Sequence, residues 1–134
     1  MENQEELTEG DKVYDRSNKL AIGLLRAVLV MTIAYPVVAA FSTPIAWMGF
    51  VPLWIGQFID RKVFLLIFNI FESLLVIWLI WGRKLYYAAI ISAVLMFAIV
   101  IVNLVSFEIV FRDIGLGLAA LALAVLVKNN LRHN

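Results

Sequence analysis

Four apolar runs dominate this chain, and their length leaves a membrane helix as almost the only fold open to them. About 20 residues at 1.5 Å each cover a hydrocarbon core about 30 Å thick. The runs are 20–41, interrupted by Arg26 and Pro36; 63–81, with Glu72 at its middle; 85–105, without a charge; and 109–127, with Arg112 and Asp113 in its first turns. A lone spanning strand would leave its backbone groups unsatisfied in lipid, so each run is expected to be a helix. Composition agrees: 63% of the 134 residues are hydrophobic and 16% charged, too apolar for a soluble globule of this size.

The connections set the expected arrangement. Gly82, Arg83 and Lys84 join the second and third runs, and 106–108 joins the third and fourth. Links this short make neighbours antiparallel, so the predicted fold is all-α, a transmembrane up-down four-helix bundle. The segment 42–62 holds Pro44, Trp47, Pro52, Trp54 and Phe58. It is too apolar for a solvated loop and too broken by proline for a span, and reads as an interfacial segment between helices 1 and 2. Residues 1–19 then form an N-terminal acidic and basic segment, 20–127 the membrane domain, and 128–134 a tail. The early acidic residues Glu2, Glu5, Glu6, Glu9 and Asp11 stand where a secretory signal would be positive, so the first run is expected to be a retained span. Lys12, Arg16, Lys19, Arg83, Lys84, Lys128 and Arg132 fall on one side, and Arg61, Lys62 and Arg112 on the other. That excess places both termini in the cytoplasm. Trp78, Trp81, Tyr86 and Tyr87 would form the inner aromatic belt, and Trp47 and Trp54 the outer one.

Several chemistries are excluded. No cysteine is present, which removes disulfides, thiol catalysis and Fe–S clusters. The single histidine, His133, is at the far C-terminal end, so no haem or metal ligand set lies within the membrane runs. A net charge of +1 without a basic stripe argues against nucleic acid as a partner. There is no catalytic triad, phosphate loop or metal constellation to support a stand-alone enzyme.

Polar residues inside the runs are therefore the candidate site. A carboxylate at bilayer depth costs roughly 2.5–3.5 kcal/mol on insertion scales, so Glu72 demands surroundings other than lipid. Asn69, Glu72 and Ser73 share one helix face at i, i+3, i+4 spacing. Arg26 is expected about two turns inside the first span, near the depth of Glu72. Arg112 enters from the outer edge of the fourth span, with Asp113 about 100° away around the helix. A buried partner for Glu72 is expected from Arg26 or Arg112. Against this stand plainer readings: Arg26 snorkelling to headgroups, Arg112 and Asp113 as an interfacial anchor, and Glu72 in a purely structural pair. Asn103 and Glu108 read as wetted residues at the outer end. Gly115 with Ala119, and Ala120 with Ala124, are small residues four apart, which lets helices approach closely inside the bundle or across a homodimer.

Three stretches together carry a resemblance. Ala46-Trp-Met-Gly-Phe-Val-Pro-Leu-Trp-Ile55, Phe71-Glu-Ser-Leu-Leu-Val-Ile-Trp-Leu-Ile-Trp-Gly-Arg83 and Phe111-Arg-Asp-Ile-Gly-Leu-Gly-Leu-Ala-Ala120 resemble the DoxX-like family of small four-helix membrane proteins. The family's early arginine is met by Arg26, its glutamate with Gly-x-Arg by Glu72, Gly82 and Arg83, and its Arg-Asp-x-Gly start by Arg112, Asp113 and Gly115. The lysine that often closes the family's first helix has no counterpart in 35–41. The resemblance covers roughly 20–127. It implies a membrane subunit of a quinone- or redox-linked complex in a prokaryotic-type cytoplasmic membrane, with a quinone as cofactor and the bilayer and a protein partner or second copy as its surroundings.

Two functions compete on this reading. One is a subunit that supplies polar contacts to a bound quinone or redox partner, because a chain without redox groups needs a cofactor to carry the chemistry. The other is a non-catalytic assembly or chaperone-like subunit whose charged cluster only fixes packing. A transporter fits less well, since one four-helix protomer leaves little room for alternating access.

Overall fold

The computed structural model describes the backbone of residues 2–133 and the side chains of residues 8–105 and 110–132. Within that range the chain is helical, and no strand occurs among the described residues. The long helices are α1 (Glu2–Ser42), α3 (Arg61–Trp81), α4 (Leu85–Val102) and α5 (Phe107–His133). Between α1 and α3 lie the one-turn α2 (Pro44–Trp47) and two short 3-10 turns, Met48–Phe50 and Leu53–Gln57. A third such turn, Leu104–Ser106, precedes α5.

Four described stretches are long and apolar enough to cross a bilayer: Thr8–Ser42, Arg61–Trp81, Leu85–Val102 and Val110–Arg132. Each also exposes large apolar side chains, such as Leu24 and Met31 on α1, Leu74 and Ile77 on α3, Val94 on α4 and Val125 on α5. A soluble domain would not present such a surface on every helix. The pattern is that of an integral membrane protein.

Each long helix packs on two others: α1 on α3 and α5, and α4 on α3 and α5. The inward stripes follow helical period. On α1 the buried residues are Leu29, Ile33, Val37 and Ala40; on α3 they are Leu65, Asn69, Glu72, Leu75 and Leu79. The main core joins Leu29 and Ile33 to Leu75 and Leu79, with Met96, Leu116 and Leu123 from α4 and α5. Buried alanines line the α4–α5 contact, Ala88, Ala89 and Ala93 on one side and Ala120 and Ala124 on the other. Gly117 belongs to the same seam, because a Cβ there would stand 3.0 Å from the Phe97 ring. Gly115 has open space around it, so close approach in this structure involves Gly117, Ala120 and Ala124 rather than the Gly115 and Ala119 spacing.

The helix ends are chemically explicit. Asp60 caps α3, its carboxylate accepting from the Lys62 backbone N–H at 2.8 Å. Gly82, at φ +73°, closes α3 with its N–H on the Trp78 carbonyl. Lys84 also takes a left-handed conformation, which completes the tight link to α4.

Residues 2–19 are helical and continuous with the first span as part of α1, with an exposed Lys19–Asp15 pair at 2.7 Å one turn apart. One boundary differs from the sequence reading. The third span ends at Val102 rather than 105, where Asn103 closes it by donating its backbone N–H to the Ile99 and Val100 carbonyls. The side chains of 106–109, including Glu108, lie outside the described residues.

Candidate functional site

Arg61 positions the connection between α1 and α3. Its guanidinium donates to the carbonyls of Met48 and Val51, the latter at 2.7 Å. Val51 and Ile55 pack on Leu65, with Trp47, Met48, Ile59 and Phe64 around them. The segment thereby folds over the start of α3.

Beneath it is a cavity of about 600 Å³, walled by all four long helices and the connecting segment. Thr32, Ile33 and Pro36 come from α1; Phe64, Phe68, Asn69 and Glu72 from α3; Met96, Ile99 and Asn103 from α4 and its end; and Arg112, Asp113 and Leu116 from α5. Trp47, Trp54 and Phe58 supply aromatic walls from the connection. The lining is mostly apolar; its charged and amide side chains are Asn69, Glu72, Asn103, Arg112 and Asp113, with the Thr32 hydroxyl on α1.

Three of those polar residues are almost fully buried: Asn69 at 4%, Glu72 at 6% and Asp113 at 5% exposure. Asp113 accepts from Arg112 through one oxygen, Oδ1, at 3.2 and 3.3 Å. The Glu72 carboxyl and the Asn69 carboxamide meet no hydrogen-bond partner among the described residues. No group of three His, Cys, Asp or Glu side chains is placed to hold a metal among the described residues.

The expected partner for Glu72 is not where the sequence put it. Arg26 donates from Nε to the Leu79 carbonyl and from Nη2 to the Ile80 carbonyl, in the last turn of α3. Seven residues separate Leu79 from Glu72, about 10 Å along a helix at 1.5 Å per residue. The first apolar run is longer than the part of α1 that lies beside α3, so counting turns from its start sets Arg26 too deep. Arg112 pairs with its neighbour Asp113 instead of reaching Glu72. The two also exchange roles: Asp113 takes the buried position, while the Arg112 side chain is 56% exposed. Ser73, on the expected face, donates to the Asn69 carbonyl at 2.7 Å and does not line the cavity.

The structure thus brings Asn69, Glu72, Arg112 and Asp113 to one cavity, which Arg26 and Ser73 do not line. It adds Asn103, read from sequence as merely wetted, which reaches the cavity while its Nδ2 donates to the Ile99 carbonyl at 3.1 Å. Arg61 does not line the cavity and acts instead on the segment that covers it, through Met48 and Val51.

Compared with known proteins, the chain matches no family model, no curated sequence and no solved structure.

Proposed function

We propose that this chain is a DoxX-like membrane subunit of a quinone- or redox-linked complex, which binds a quinone-like ligand in the cavity beside Glu72. The proposed setting is a prokaryotic-type cytoplasmic membrane. The four long helices run up and down, both termini are cytoplasmic, and residues 43–60 lie at the outer interface as a cover over the cavity mouth.

One observation carries the ligand reading: the Glu72 carboxyl and the Asn69 carboxamide, which have no hydrogen-bond partner among the described residues, line a cavity whose other walls are mostly aliphatic and aromatic. Its volume of about 600 Å³ is in the range of small-molecule sites. The apolar wall suits a ring and tail, and Asn69, Glu72 and Asp113 suit a polar head. The chain itself contributes no cysteine, and its one histidine, His133, lies outside the apolar runs. The cofactor would therefore supply the redox chemistry, and the protein would supply contacts and orientation.

A ligand that binds the native state stabilises it by mass action. A short-tailed quinone, supplied in either redox form, should raise the melting temperature of the purified chain in detergent. Glu72→Gln should weaken that rise, whereas Lys128→Ala, on an exposed position near the end of α5, should leave it intact. A missing shift in both redox forms, beside a stable protein partner in gentle detergent, would instead favour the assembly-subunit function.

A further inference from the structure

We infer that the groove where α3 turns into α4 is a binding site for an anionic phospholipid. It shares no lining residue with the cavity beside Glu72. Leu74, Ile77, Trp78 and Trp81 stand at i, i+3, i+4 and i+7 on α3 and make an apolar floor. Arg83 and Lys84, in the link, make a cationic lip. The groove encloses about 520 Å³. Leu74, Ile77 and Trp81 are each more than half exposed, so the floor faces out of the bundle, toward lipid on a spanning helix. Local chemistry builds the shape. Gly82 ends α3 at φ +73° and Lys84 follows in the left-handed region, so the link turns sharply. The Trp78 indole N–H donates to the Arg83 carbonyl at 2.7 Å, which ties the link to the apolar stripe. Both cationic residues are thereby fixed at the end of a stripe about 10 Å long.

The occupant must be apolar along the floor and negative at the lip. Neither Arg83 nor Lys84 forms an ion pair among the described residues, whose ion pairs are Lys19–Asp15 and Arg112–Asp113. The described carboxylates lie elsewhere. Asp60 caps the opposite end of α3, and Glu72 and Asp113 line the cavity. Glu9, Asp11 and Asp15 precede Arg26 on α1. Arg26 is level with the last turn of α3, and Asp15 stands about 16 Å further along α1 than Arg26. An acyl chain suits the floor, and a phosphate suits two cations that have no carboxylate of their own. The tryptophans add side chains that favour the headgroup level of a bilayer. Phosphatidylcholine offers the same phosphate but brings its own cation to the lip, so a net negative lipid fits better.

Native mass spectrometry of the full chain in detergent tests this with three probes: phosphatidylglycerol, phosphatidylcholine with the same acyl chains, and glycerol 3-phosphate. Phosphatidylglycerol should bind at a concentration roughly tenfold or more below phosphatidylcholine, and glycerol 3-phosphate should not bind in that range. Arg83→Gln together with Lys84→Asn should remove the preference. Asparagine tolerates the left-handed backbone at 84, and the backbone carbonyl at 83 stays in place for Trp78. Lys62→Gln together with Lys128→Gln removes the same charge from exposed positions outside the groove and should leave the preference intact. Equal binding of the two lipids overturns the inference, and that comparison on the unmodified chain needs no variant. An equal loss of preference in both double variants also overturns it, because diffuse surface charge would then account for the binding. Glycerol 3-phosphate that binds as tightly as phosphatidylglycerol excludes the lipid, since the apolar floor would then contribute nothing.

Discussion

A buried carboxyl without a counter-ion is held at a cost that an amide of the same shape would avoid. Glu72 is in that position, 6% exposed and with no ion pair among the described residues. We expect Glu72→Gln to raise the stability of the ligand-free chain by about 1–2 kcal/mol, while weakening ligand binding. Thermal unfolding in detergent measures the first effect, and a fall in melting temperature would show that Glu72 has a partner after all. Arg26 is the opposite case, a charge whose contacts are all structural. Its guanidinium satisfies the last-turn carbonyls of α3 and covers Gly82, where a Cβ would stand 2.8 Å from Nη2. Gly82→Ala adds a left-handed penalty of about 1–2 kcal/mol to that clash. Because both changes disrupt one contact, Arg26→Met and Gly82→Ala should destabilise by less together than the sum of the two. Arg26→Met with Glu72→Gln should add within about 0.5 kcal/mol, since they share no contact. Double-mutant cycles in unfolding free energy decide both. Glu72, Asn69 and Asp113 were legible as candidates because a polar residue in an apolar run has few reasons to be there. Their pairing was not, because it depends on how far one helix slides past another, and apolar periodicity does not record that offset.

At the scale of elements, α3 and α4 could be read almost to their ends, α1 and α5 only over their apolar stretches, and the connection 43–60 only by composition. Pro44 and Pro52 rule out a continuous helix, but where the segment lies is decided by Arg61 and its bonds to Met48 and Val51. That anchor is local, while the helices share a separate core. Arg61→Met should therefore loosen the segment without unfolding the rest. We expect amide exchange in residues 46–59 to accelerate about tenfold or more, equivalent to ~1.4 kcal/mol of local opening, with the α4–α5 seam unchanged. Exchange that rises equally on α4 would mean that the segment and the helices form one cooperative unit. The alanine seam was visible as small residues four apart, yet only the structure separates Ala120 and Ala124, which are buried, from Gly115, which is not. A stripe in sequence fixes spacing along a helix but not which way the stripe turns.

For the whole molecule, orientation is the property that sequence charge predicts and that helix packing does not. Arg26 meets the end of α3 beside the 82–84 link, so this end of the molecule holds Arg83 and Lys84, and α1 continues past it toward Lys12, Arg16 and Lys19. The opposite end holds the segment 43–60 with Arg61 and Lys62 at the start of α3. In bacterial-type insertion the more basic end stays inside. The offset of α1 sharpens the expectation. With Arg26 level with the last turn of α3, residues 26–42 are the part of α1 beside it, about 25 Å at 1.5 Å per residue, so Ser17 lies beyond that part. The absence of cysteine makes the test direct, since each introduced thiol is unique. Single cysteines at Ser17 and Asn130 should react with an impermeant maleimide only from the cytoplasmic face, and one at Ser42 only from outside. Reaction of Ser17 and Asn130 from opposite faces would require an odd number of crossings and would break the four-span topology. Reaction of both from outside, with Ser42 inside, would keep the four spans and invert them, placing the proposed cavity mouth on the cytoplasmic side.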